Sequence, residues 1–200
     1  MSAEPLPVPD LPGDIEAEIE AARYDLEGLL AEVLASVFEE EVDVLPPGED
    51  AAAVPAPDVA GDAPDAAALV AVRDDSAGVD LGVHVRLSPV LARLLASRMF
   101  ACDDPVGEDL LDAVGELGNI AGGNVKSLLF PSDGTARLSL PSAVLGGPAT
   151  PPAGGDGPLP AAIRALVLGE LVELTLVPNV EAGALVWPPT ARTEVLEGQS

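Results

Sequence analysis

The chain has 200 residues, a formal net charge of −25, and 48% apolar but only 2% aromatic residues. The length suits one domain with a core of Leu, Val, Ile and Ala, and the charge excludes a nucleic-acid backbone or an anionic membrane surface as partner, since both call for clustered basic residues. The single cysteine, Cys102, excludes an internal disulfide and a Cys-based zinc site and suits a reducing compartment. No apolar run approaches the ~20 residues of a membrane span, and the acidic, Pro-rich start is unlike a signal peptide, so a cytoplasmic protein is expected.

Residues 1–13 read as a disordered tail. A helix is expected over residues 14–41, with Leu26, Leu30, Val33 and Val37, flanked by Leu29, Leu34 and Phe38, as its apolar stripe. Glu39, Glu40 and Glu41 sit where the helix dipole disfavours them, which points to an end in solvent. Residues 45–66 are a Pro/Ala/Asp-rich loop without periodicity. Residues 68–73 suit a buried strand. From Val79 to Arg86 the apolar Val79, Leu81, Val83 and Val85 alternate with Asp80, Gly82, His84 and Arg86, a half-buried strand that forms a hairpin with the first. The alternation places His84, the only histidine, on the outer face, where it reads as a surface residue. Ser88 can cap a short helix over 89–99 with Leu91, Leu94, Leu95 and Met99 inward.

A second long helix is expected between Asp104, as N-cap, and Pro131, with Pro105 at its first position and Glu108 and Asp109 at the positive end of its dipole. At about 100° per residue, Leu110, Val114, Leu117, Ala121, Val125 and Leu128 form a core face. Gly115, Gly118 and Gly122 make a smooth stripe beside it. Asp112, Glu116, Asn119, Gly123 and Lys126 share the opposite side. Gly123 costs about 1 kcal/mol relative to Ala in a helix, which makes sense if something approaches the backbone there. Lys126 is the only lysine in the chain. Asn124 reads as structural, bonding toward the neighbouring helix. A strand over 135–140 ends at Pro141, residues 142–160 form a second Gly/Pro-rich loop, and 163–168 with 171–177 make a closing hairpin that turns near Gly169. The domain thus spans 14–177, followed by a tail over 178–200 with an edge strand at 183–188. Helices interleaved with hairpin-paired strands predict an α+β fold, a two-layer sandwich with a mainly antiparallel sheet. Neither a metal-ligand cluster nor a hydrolase triad is recognisable.

The run Asp112-x-x-x-Glu116-x-x-Asn119, followed by residues 120–126 and by Pro141 after a Leu-Ser-Leu strand, resembles the CheC/CheX/FliY family of chemotaxis phosphatases, and within it the CheX-like branch. The resemblance implies two long helices side by side on the sheet and a phosphorylated CheY-like receiver domain as substrate. It makes Asn119 the residue that orients the attacking water and Glu116 the partner of a lysine on the receiver, with Asp112, Gly123 and Lys126 as partner contacts. It also implies that the protein has no cofactor of its own, Mg²⁺ being supplied by the receiver, and that it forms a homodimer. The CheC branch carries the motif twice. The first helix here has no asparagine, so one active face per chain is expected. The alternative reading is a non-catalytic receiver-binding or flagellar-switch adaptor that uses the same helix face.

Overall fold

Two strands of nine residues form the centre of the sheet, β2 (Ala66–Asp74) and β3 (Val79–Leu87). They pair antiparallel along their whole length, from Ala66 opposite Leu87 to Asp74 opposite Val79. The computed structural model describes residues 15–46, 65–74, 79–130, 136–146 and 162–178. Within these, β1 is Val42–Leu45, β4 Arg137–Leu138, β5 Ser142–Leu145, β6 Ile163–Val167 and β7 Glu170–Pro178. The sheet runs β1-β6-β7-β3-β2, with β4 and β5 both on the far edge of β2, and every pairing is antiparallel. The expected turn near Gly169 is present: Leu168 (φ 54°) and Gly169 (φ 78°) both take the left-handed conformation that a two-residue hairpin needs.

Four helices complete the described chain: α1 (Ile15–Ala21), α2 (Arg23–Phe38), α3 (Pro89–Phe100) and α4 (Gly107–Leu129). The one long first helix expected from the sequence is broken at Ala22. It also ends sooner than expected, because Glu39 adopts φ 51° and residues 42–45 leave the helix to pair with β6. In α2, Leu26, Leu30, Val33, Leu34 and Phe38 are buried as the stripe predicted, while its members Leu29 and Val37 are only partly buried. Ser88 caps α3, its Oγ accepting the Leu91 N–H at 3.3 Å. Leu91 and Leu95 point inward, whereas Met99 is exposed in the last turn.

The helices lie on one face of the sheet. α4 packs on β2, β3 and β5; α2 packs on β1, β6 and α4; α3 fills the space beside α4. The core between them is aliphatic, built from such residues as Leu30, Val72, Leu81, Val85, Leu117 and Leu174, each side chain contributing about 1.5–3 kcal/mol by its burial. The α+β class, the antiparallel sheet and the adjacent long helices are therefore as expected. Residues 142–145, expected in a loop, are β5. Both tails lie outside the described residues, including the expected edge strand at 183–188, as do most of the two long loops.

His84 is a correction. It is fully buried, not exposed. The face of the sheet turned away from the helices also holds Ala67, Leu69, Ala71, Thr175 and Val177, and all of them are buried. Alternation in β3 therefore separates two buried faces rather than inside from outside. Burial lowers the His84 pKa to about 4, with nearby Glu173 opposing and Arg86 reinforcing that shift. The neutral imidazole is the form the fold accepts, so its contribution is complete above the ordinary value of 6.5 and is lost as pH falls toward 4. Urea unfolding at about pH 7 and about pH 4.5 should show His84 contributing a loss of roughly 2–3 kcal/mol over that interval. His84→Gln should remove this part of the pH dependence.

Candidate functional site

α4 starts two residues later than the sequence suggested. Residues 101–106 make the reversal from α3, with Ala101 at φ 50° and the Ser97 hydroxyl donating to the Cys102 carbonyl at 2.6 Å. Asp104 is thus outside the helix, and the Asp109 carboxylate instead accepts the Val106 N–H at 2.8 Å, neutralising a free donor at the helix start.

The glycine stripe decides how α4 sits. A methyl group on Gly118 would lie 2.9 Å from the Ala68 Cβ, and one on Gly122 would lie 3.0 Å from the Val70 Cγ1. A methyl group on Gly115 would make ordinary contact with Pro141, 3.7 Å from its Cγ. The helix therefore rests almost backbone-to-strand on β2, closer than any other residue would permit. Val114, Leu117, Ala121 and Val125 enter the core, while Leu110 and Leu128 are only partly buried.

With that side fixed, the polar residues face away from the sheet. Asp112 and Glu116 are exposed, and Asn119, Gly123 and Lys126 are half-exposed. Asn119 Nδ2 donates to Glu116 Oε2 at 3.4 Å, a long hydrogen bond between groups one turn apart. Gly123 differs from the stripe: a methyl group there would make only ordinary contact, 3.9 Å from Leu138 Cδ1, so packing does not require the glycine. Asn124 bonds within its own helix, to the Ile120 carbonyl at 2.9 Å, and not to the neighbouring helix. Among the described residues no group of three or more His, Cys, Asp or Glu lies close enough to hold a metal ion, and no helix is long and apolar enough to cross a membrane. What this face offers is a carboxylate, an amide and an approachable stretch of backbone on the solvent side of α4.

Pro141, twenty-two residues after Asn119, is brought against Gly115, next to Glu116. Pro141 thus packs on the same turn of α4 that carries Glu116. Residues 66–155 match the family model of the chemotaxis phosphatase CheX. Over these residues the chain is similar to CheX. Its fold agrees with solved CheX structures. The Vibrio vulnificus protein is 18% identical with a TM-score of 0.57, covering 76% of this chain and 95% of that one. The Desulfovibrio desulfuricans protein is 18% identical with a TM-score of 0.56, covering 80% and 99%. A Borrelia burgdorferi CheX, solved in complex with CheY, BeF₃ and Mg²⁺, is 14% identical with a TM-score of 0.56, covering 79% and 97%. At these identities the structures establish the fold of the chain, not its chemistry. No curated protein sequence matches it.

The sequence reading missed the segment beside the site, 138–141, which it took as a plain strand ending. A proline between two short apolar runs was the available sign that the strand is interrupted rather than finished.

The two kinds of glycine should respond oppositely to alanine. Gly118→Ala should destabilise by about 1–3 kcal/mol, because β2 cannot retreat. Gly123→Ala should be neutral or stabilising by up to about 1 kcal/mol, from helix propensity alone. Denaturant unfolding of both variants distinguishes them.

Proposed function

We propose that this CheX-like protein accelerates hydrolysis of the aspartyl phosphate on a CheY-like response regulator, with Glu116 and Asn119 as the acting residues. The observation that carries the proposal is their placement, one turn apart on the exposed face of α4, hydrogen-bonded to each other and flanked by Gly123. The family model and the CheX–CheY complex from Borrelia burgdorferi support the same reading.

An acyl phosphate is already activated, and its Mg²⁺ belongs to the receiver, so the helper need only position water and charge. The Asn119 amide suits this: its carbonyl oxygen accepts a hydrogen bond from the attacking water, its Nδ2 donates to a phosphoryl oxygen, and it does not titrate. Water attacks phosphorus in line, the bond from phosphorus to the aspartyl oxygen breaks, and the products are inorganic phosphate and the free carboxylate. Glu116 pairs with a lysine of the receiver and sets the register of docking. In the free protein Glu116 holds the amide weakly at 3.4 Å; exchanging it for the receiver's ammonium group releases Asn119 for the water. Gly123 permits close approach of the receiver, and Asp112 and Lys126 flank the contact. A cytoplasmic homodimer acting in a chemotaxis-type pathway belongs to the same proposal.

The test is phosphate release from a phosphorylated CheY-type receiver of the same genome. Asn119→Ala should lower kcat by at least about 100-fold with binding nearly kept, on the scale of losing a positioned catalytic group. Glu116→Ala should weaken both binding and rate. Binding without any acceleration by the unaltered protein would leave an adaptor in place of an enzyme.

A further inference from the structure

Strands β4 and β5 both pair with β2, but in different registers. Leu138 stands opposite Val72 and Ser142 opposite Leu69, so three residues, 139–141, face only two, Val70 and Ala71. This is a β-bulge on the sheet edge. Ser139 holds it in place: its N–H donates to the Ala71 carbonyl at 2.9 Å, and its Oγ accepts the Ala71 N–H at 2.9 Å. The hydroxyl stands in for a ladder carbonyl, and the chain beyond it turns out of the sheet. Leu140 is left 89% exposed, and Leu138 is 38% exposed. On either side of Leu140 the chain packs on α4, Pro141 next to it against Gly115 and Leu138 two residues before it against Gly122 and Gly123. The bulge therefore emerges beside the very turn that carries Glu116 and Asn119.

We propose that Leu140, with Leu138 beside it, is the apolar dock for the receiver domain whose phosphoryl group Asn119 addresses; this rests on the function proposed above. For Asn119 to reach a phosphoryl group inside another protein, that protein must cover this turn of α4 and hence the bulge next to it. A leucine exposed there is buried by the same event. The charge balance points the same way. With a net charge of −25, the chain gains nothing at long range from a partner that is itself acidic around its phosphoryl site. Charges beyond ~8 Å are screened at physiological salt, which leaves affinity to contact. The two Ser139–Ala71 hydrogen bonds hold the bulge in shape before binding, so little ordering remains to be done on docking.

The experiment titrates the full-length protein with a CheY-type receiver loaded with beryllium fluoride and Mg²⁺, and measures phosphate release with the phosphorylated receiver alongside. Leu140→Asp should raise Kd and KM at least about tenfold, as loss of a buried apolar anchor does, with kcat at saturation unchanged within about twofold. Leu140→Met should behave like the unaltered protein. Thermal unfolding of Leu140→Asp should be unchanged, since the side chain is in solvent in the free protein. An unchanged Kd for Leu140→Asp, or an effect confined to self-association, overturns the dock while leaving the phosphatase standing. Weakened binding by Leu140→Asp together with full activity of Asn119→Ala keeps the dock and removes the assigned catalytic residue. No binding by the unaltered protein overturns both.

Discussion

The close approach of α4 to β2 is the contact on which the other features depend. Gly118 and Gly122 bring the helix backbone against Ala68 and Val70, within distances that leave no room for a methyl group. A helix held this tightly cannot roll. Because it cannot roll, Glu116 and Asn119 are held outward at a defined angle, and the neighbouring edge of the sheet, from Leu138 to Pro141, is brought level with them. Each glycine lowers intrinsic helix stability, and the fold compensates by letting apolar residues of α4 on the core side, such as Leu117 and Val125, pack deeply among the strands. Rigidity of placement is what a surface needs if it is to position a single water on another protein.

The sheet is buried more completely than a two-layer sandwich requires. Its second face holds small residues, Ala67 and Ala71, beside His84, Glu173 and Thr175. Arg164 reaches Glu173 across the β6–β7 pair at 2.9 Å, so a charge is satisfied within this layer instead of facing water. An imidazole enclosed there is stable only when neutral. The same burial ties the central strands together from both sides, which gives α4 an unyielding bed.

The edge of β2 contributes differently. There the pairing changes register, and the extra residue in the chain pushes an apolar side chain outward beside a polar helix face. Bulges bend a strand and re-aim its side chains; this one joins a strongly anchored strand to the candidate site through Ser139 and Ala71. The polar groups of α4 and the apolar group of the bulge thus come from separate elements held in one frame.

Periodicity alone carried much of the result. The stripe of α2, the glycine stripe and polar face of α4, the β2–β3 hairpin and the turn at Gly169 were all legible, because each depends on residues within a few positions of one another. The grouping of Glu116 and Asn119 was legible for the same reason, being one helical turn. Other features were not. The strand at 42–45 depends on pairing with β6, more than a hundred residues away. His84 looked exposed because alternation tells two faces apart but not which of them is covered. The bulge at 139–141 and the seating of Pro141 on Gly115 exist only once β2, β4, β5 and α4 are assembled. Local spacing determines which side chains share a face; only the packing of distant segments decides what that face meets, because burial and register are set by neighbours that the chain reaches by folding back on itself.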